Sequence, residues 1–181
     1  NSHAALARIR QRLAVLRARA DDDRLKEAWA RCRHDGARMA LCAGGGYGRG
    51  ELFPQSDVDL LVVAEAPARD AFGTGLSRFF AMLWDAGLPV SHAVRSAGQC
   101  TEAAADQSVL TALIEWRALL ADENAQAALV AAIAPTQVWP PRDFFVAKRE
   151  EQRMRHARFG DTSENLEPNL KEGPGGLRDL H

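Results

Sequence analysis

The sequence predicts a small α/β (α+β) unit followed by the beginning of a helical one, and three observations point there. Two short apolar runs, Met39 to Ala43 and Val58 to Ala64, flank a glycine-rich stretch and have the length of buried strands. Between the second run and a third strand-like segment, Pro89 to Ser96, apolar residues recur at helical spacing and stop at Gly87. From Gln107 onward the patterns are helical only. Strands interleaved with helices, then helices alone, describe a mixed sheet unit with a helical continuation. With 181 residues, 46% hydrophobic and 26% charged, the chain can bury a real core and is neither a disordered tail nor a collagen-like rod.

Taken in order, Ala4 to Ala20 carries Leu6, Ile9, Leu13 and Leu16 at spacings of three and four, with arginines on the other faces, so an amphipathic helix is expected. Asp21-Asp22-Asp23 reads as a cap-like break, after which Arg24 to Arg33 forms a second helix ending near Gly36. Asp70 to Ala86, with Phe72, Leu76, Phe79, Phe80, Leu83 and Trp84, is the helix between the second and third strands. Gln107 to Leu120 and Asn124 to Ile133 read as alanine- and leucine-rich helices. The prolines of Pro135 to Pro141 mark a boundary before a further helical pattern, Arg142 to Arg158, and a Gly/Pro/Asn-rich end from Gly160. The organisation expected is therefore N-terminal helices over residues 1–36, the sheet unit over 37–135, and the start of a helical domain over 136–181. The chain opens on Asn1-Ser2 and stops at Leu180-His181, so a fragment of something longer is expected.

Lys and Arg number 23 against 24 Asp and Glu, a net charge of −1, which argues against general adhesion to nucleic acid or membrane. Cys32, Cys42 and Cys100 are odd in number and lack C-x-x-C spacing, so neither a disulfide framework nor a zinc cluster is expected, and a cytoplasmic setting fits. No apolar run approaches the ~20 residues of a membrane span.

The chemistry concentrates in one stretch. Gly44-Gly45-Gly46-Tyr47-Gly48-Arg49-Gly50 follows a predicted strand, and such a turn lets backbone N–H groups approach a phosphate closely. The dinucleotide pattern G-x-G-x-x-G fails, because Arg49 or Glu51 stands where a third glycine is needed. The phosphate-loop pattern fails as well, with Glu51 and Leu52 in place of its lysine and hydroxyl. Shortly afterwards comes Ser56-Asp57-Val58-Asp59, and strand alternation places Asp57 and Asp59 on one side about 6.6 Å apart along the chain. Two anions so close repel one another unless a cation or hydrogen bonds compensate. Mg²⁺ suits them, since it takes oxygen ligands and combines one or two carboxylates with substrate phosphates.

The run from Gly45 through Phe53-Pro54-Gln55-Ser56 to Leu61 resembles the nucleotidyltransferase signature of the bifunctional uridylyltransferase/uridylyl-removing enzymes that modify the nitrogen-regulatory PII protein. So does Asn165 to His181, with Leu83-Trp84-Asp85, Ser91 to Arg95 and Glu151 to His156 in the right order between them. The glycine/D-x-D motif alone specifies only a polymerase-β-like nucleotidyltransferase; the two long stretches together are more specific. The resemblance implies a polymerase-β-like palm with flanking helices and Mg²⁺-dependent transfer of UMP from UTP to a tyrosine hydroxyl of PII, pyrophosphate leaving. The family's hydrolytic removal of UMP belongs to a later His-Asp domain, and the lone His34-Asp35 lacks the partners such a site needs.

On this reading Asp57 and Asp59 are the catalytic and metal-binding pair, and Gly45 and Gly46 hold the triphosphate. Ser56 and Arg49 are either phosphate contacts or a turn residue and a surface arginine. Polymerase-β-like enzymes place a third carboxylate on the facing strand, where this sequence has Ser91 and His92, so Asp106 and Glu115 are the candidates to supply it. His92 is otherwise a hydrogen-bonded structural histidine. Lys171 and Arg178 reach phosphates if the terminal stretch folds over the cleft and belong to a linker if it does not. Another nucleotidyltransferase of the same fold, adenylylating its target, and a nucleotide-binding module without turnover are the rivals.

Overall fold

The computed structural model describes residues 2–32, 38–53, 56–134, 138–159, 169–170, 173–176 and 179, leaving aside the side chains of 2–14, 16 and 159. The chain divides into two compact units, Asn1–Ala134 and Pro135–His181.

The first unit is built on a four-stranded mixed sheet of β1 (Met39–Ala43), β2 (Val58–Ala64), β3 (Val90–Arg95) and β4 (Arg117–Ala121), in the order β3-β2-β1-β4. β1 runs antiparallel to both β2 and β4, whereas β2 and β3 are parallel. A parallel pair needs a crossover, and α3 (Ala66–Asp85) supplies it between β2 and β3. Pro67 sits in the first turn of α3, where its missing N–H costs nothing. Met39, Leu41, Ala43, Val58, Leu60 and Val62 form one core with Phe72, Phe79 and Phe80 of α3 and with Leu25 and Trp29 of α1 (Ser2–Cys32). Trp29 meets Phe79 edge-on at 5.0 Å between ring centroids. Strand alternation turns Ala40, Cys42 and Val63, also buried, to the other face. Near that face lie α4 (Ala97–Ala103), α5 (Gln107–Ile114) and α6 (Glu123–Ala132), which bury Cys100, Leu110, Leu113, Leu129 and Ile133.

Three expectations are corrected. The acidic triplet does not break the N-terminal helix, because its charges are answered in place. Asp21 is buried with Arg24 at 3.2 Å and Arg17 at 3.9 Å, and Asp22 is held by Arg117. The apolar face predicted at Leu6, Ile9, Leu13 and Leu16 lies outside the described side chains. The helix predicted over Gln107 to Leu120 stops at Ile114, and Arg117–Ala121 is a strand, because pairing along β1 overrides the local helical pattern. Finally α4 went unpredicted although its start is written out: Ser96 and Gln99 form a reciprocal capping box.

The second unit contains α7 (Pro141–Phe159). At its far end Asp179 accepts hydrogen bonds from the Gly175 N–H at 2.8 Å and from Arg155 at 2.6 Å, and His156 lies 2.8 Å away. The backbone N–H first, and then the side chains, hold the Asp179 carboxyl well below the usual carboxylate range. No described helix is long and apolar enough to cross a membrane. Cys32, Cys42 and Cys100 are free thiols, and burial pushes that of Cys42 up to about 12.

Candidate active site

Strand β1 ends at Ala43, and the chain turns back against β2. The Gly44 N–H donates to the Asp59 carbonyl at 2.9 Å, and Gly45–Gly48 then winds a single helical turn, α2. Gly45 has φ +54, and a Cβ there would stand 2.6 Å from Asp59 Oδ2. The left-handed backbone angle therefore favours glycine, and a side chain there would push the Asp59 carboxylate aside. Gly48 is held as tightly, since a Cβ would lie 2.8 Å from the carbonyl oxygens of Ala43 and Glu115.

Asp57 immediately precedes β2, and Asp59 is its second residue, with buried Val58 between two exposed aspartates. Partial burial first, and the charge of Asp57 second, raise the Asp59 carboxyl above its ordinary value. Ser56 closes a turn through its N–H on the Phe53 carbonyl at 2.9 Å. Asp59, Gly44 and Gly45 form one end of a cleft of about 400 Å³, and Ser91, the register partner of Asp59 on β3, stands beside them.

The other sequence-predicted residues distribute themselves differently. Arg49 forms an ion pair with Glu115 at 2.9 Å, so these two answer each other. Asp106 caps α5, accepting from the N–H groups of Ser108 at 2.7 Å and Val109 at 3.3 Å. The third-carboxylate role expected of Asp106 or Glu115 therefore finds both engaged elsewhere. Among the described residues, no group of three or more His, Cys, Asp or Glu side chains is arranged to hold a metal. His92 pairs in register with Leu60 on the opposite face from Asp59 and stacks on Phe80 at 3.7 Å between centroids, a packing role. Lys171, Arg178, His34 and Asp35 lie outside the described residues.

Sequence reasoning missed what stands behind the glycine turn. The Tyr47 hydroxyl donates to Asp22 at 2.6 Å, and Arg117 donates to both Asp22 oxygens at 2.7 and 3.0 Å. The same guanidinium bonds the carbonyls of Gly48 at 3.1 Å and Tyr47 at 3.3 Å. Burial works to raise the Asp22 carboxyl, but the hydrogen bonds from Arg117 and Tyr47 outweigh it and leave it below its ordinary value. Burial and the Asp22 anion together push the Tyr47 phenol far up, so it remains a neutral donor. One carboxylate from α1, one arginine from β4 and the tyrosine of α2 thus clamp the turn that abuts Asp59.

A family model described as a nucleotidyltransferase domain matches residues 25–122, spanning the sheet, the glycine turn and the aspartate pair. The chain belongs to the nucleotidyltransferase domain family. A second model, described as GlnD PII-uridylyltransferase, matches residues 143–181. This nucleotidyltransferase chain is 66% identical over 94% of its length to the bifunctional uridylyltransferase/uridylyl-removing enzyme of Xanthomonas campestris pv. campestris (strain B100), covering 20% of that protein. The like-named protein of Stutzerimonas stutzeri (strain A1501) is 46% identical over 94% of this chain and 19% of that one. The chain thus spans about one fifth of the length of the curated relatives it matches. A crystal structure of a toxin–antitoxin with AMP-PNP aligns at a TM-score of 0.38 and 16% identity, over 72% of this chain and 93% of that one.

In this nucleotidyltransferase, Gly45→Ala is expected to lower stability by about 1–2 kcal/mol, the cost of a side chain in the left-handed region. It also displaces the Asp59 carboxylate. Denaturant melts beside Gly73→Ala measure the difference, since a Cβ at Gly73 meets nothing within 4 Å.

Proposed function

We propose that the chain transfers UMP from UTP to a tyrosine hydroxyl of a PII signalling protein, releasing pyrophosphate. The observation that carries the reading is Asp59 set directly against the glycine turn, with Asp57 two residues before it and the Asp59 carboxyl raised by partial burial first and by the charge of Asp57 second. The identity to proteins named uridylyltransferases supports the choice of UTP, and the match to the PII-uridylyltransferase model supports the choice of target.

Hard oxygen donors that repel one another, beside a space only a glycine leaves open, fit Mg²⁺. Asp57 and Asp59 would hold it, and when bound it would supply charge neutralisation for the phosphates. The backbone N–H groups of Gly45 and Gly46 orient the triphosphate. The tyrosine oxygen then forms a bond to the α-phosphorus while the bond to pyrophosphate breaks, and the phenolic proton leaves to a base. Because a tyrosine hydroxyl has a pKa near 10, that proton needs an acceptor at neutral pH, and the site's carboxylates are the groups present. Arg49 uses Nη1 on Glu115, while its Nη2 lies beside Gly46, so it can add a phosphate contact with that ion pair intact. Alignment and charge then account for the acceleration. A reducing, cytoplasmic setting agrees with the three free cysteines.

Calorimetric titration with UTP, ATP, CTP and GTP, with and without Mg²⁺, tests this reading. Magnesium-dependent binding of UTP is expected, lost in the Asp57→Asn/Asp59→Asn double variant. A preference for ATP would point to an adenylyl transferase, and tight binding with no pyrophosphate release in the presence of PII would point to a silent nucleotide-binding module.

A further inference from the structure

The cleft beyond Asp59 changes character along its length. Its floor continues over Leu61 and Ala93, its wall is Val109 and Leu113 of α5 with Trp116 just beyond, and at its far end stands Arg95. Register fixes the geometry: Asp59 pairs with Ser91 and Val63 with Arg95, so Arg95 shares the Asp59 face of the sheet four residues further on, about 13 Å along the strand. Among the described residues, no carboxylate forms an ion pair with Arg95. A half-buried guanidinium at the end of an otherwise apolar trough has unspent donors, and in this structure most other arginines near the site are already committed: Arg49 to Glu115 and Arg117 to Asp22.

Resting on the transferase reading above, we propose that this trough receives the nucleoside half of the substrate and that Arg95 reads the carbonyl edge of its base. The triphosphate belongs at the glycine end, where the aspartates and backbone donors are, so the sugar and base extend over the apolar floor. Apolar walls with a few placed polar groups are what a nucleobase requires. Uracil presents carbonyl oxygens at its O2 and O4 positions, and a guanidinium offers only donors. Cytosine presents an amino group in place of O4, which sets donor against donor. Arg95 is then a specificity-determining contact for a base with a carbonyl at that position, and it takes no part in bond making.

Titration of wild type, Arg95→Met, Arg95→Lys and Asp59→Asn with Mg²⁺–UTP, Mg²⁺–CTP and Mg²⁺–tripolyphosphate separates the two ends of the cleft. Arg95→Met is expected to weaken UTP by about tenfold to a hundredfold, the scale of a lost bidentate base contact, to bring UTP level with CTP, and to leave tripolyphosphate unchanged. Arg95→Lys keeps the charge but loses the planar fork, and it too is expected to lose the UTP preference, which answers the question if the methionine variant melts early. Equal losses for UTP and tripolyphosphate would make Arg95 a phosphate ligand and overturn the inference. So would an unchanged UTP affinity, or a wild type that binds tripolyphosphate without distinguishing UTP from CTP, while leaving the transferase reading in place. A wild type that binds none of the three overturns both.

Discussion

Asp59→Asn is expected to reduce nucleotidyl transfer by roughly 10²–10³-fold or more, the scale on which a single preorganised electrostatic group matters, while leaving the metal-free chain slightly more heat-stable. The two effects have one cause. Asp59 is raised by burial and by the charge of Asp57, so the folded state favours its protonated form, and ionisation at neutral pH works against folding. The sign follows from the raised value: stability associated with this carboxyl is fully present below its unfolded value near 3.8 and declines as pH rises through the higher folded one. Replacing it with a neutral isostere removes that decline along with the ligand. Thermal melts from pH 4 to 7, with and without Mg²⁺, check both halves. A magnesium-induced rise in Tm that survives in Asp59→Asn, or a variant less stable than wild type across that range without Mg²⁺, would contradict the account.

The second large effect is expected at the clamp behind the turn. Arg117→Ala leaves Asp22 without its bidentate cation and the Gly48 carbonyl without its side-chain donor, while the Tyr47 carbonyl keeps the Gly50 N–H at 3.0 Å. Losses at charged hydrogen-bonding groups run to about 1.5–3 kcal/mol, and partial exposure of the pair places the expectation near the lower end. Asp22→Asn keeps the shape but weakens the charge. Because the residues form one network, the double variant is expected to cost clearly less than the sum of the two single ones. Denaturant unfolding of the four proteins measures the coupling, and strict additivity would show that the pair does not act as a unit. The pH signature is opposite to that of Asp59. Asp22 is depressed below 3.8, so its contribution is present above that value and lost as pH falls through the lower folded one. Acid titration of Asp22→Asn is expected to show a shallower loss of stability below pH 4.

These two residues also mark how far the sequence could be read. The three apolar strands and α3 are legible because each carries its period within a few residues. The glycine turn and the aspartates are legible because all lie between residues 44 and 59, joined by one short connection. β4 is not, since Ala118-Leu119-Leu120 continues a helical pattern and becomes a strand only through pairing with Cys42 and Leu41 far away in the chain. Nor is the unbroken first helix: a run of aspartates reads as a stop until Arg117, 95 residues on, is known to answer one of them. Arg95 falls inside the strand predicted over Pro89 to Ser96, and only register against β2 shows which face it takes. The start of α4, by contrast, is written locally, because Ser96 and Gln99 have capping-box spacing. What escapes a linear reading is thus what depends on partners remote in sequence.

The clamp also bears on where this module can be excised. The recognisable domain begins at residue 25, yet the anion that anchors the turn sits at Asp22, and Asp21 is buried one residue earlier. A chain trimmed to the limits of that family match would keep the strands, the glycines and the aspartates, and lose the footing on which they rest. Mechanical integrity here begins upstream of family resemblance, and grafting the catalytic palm into another protein would need the C-terminal half of the leading helix to travel with it.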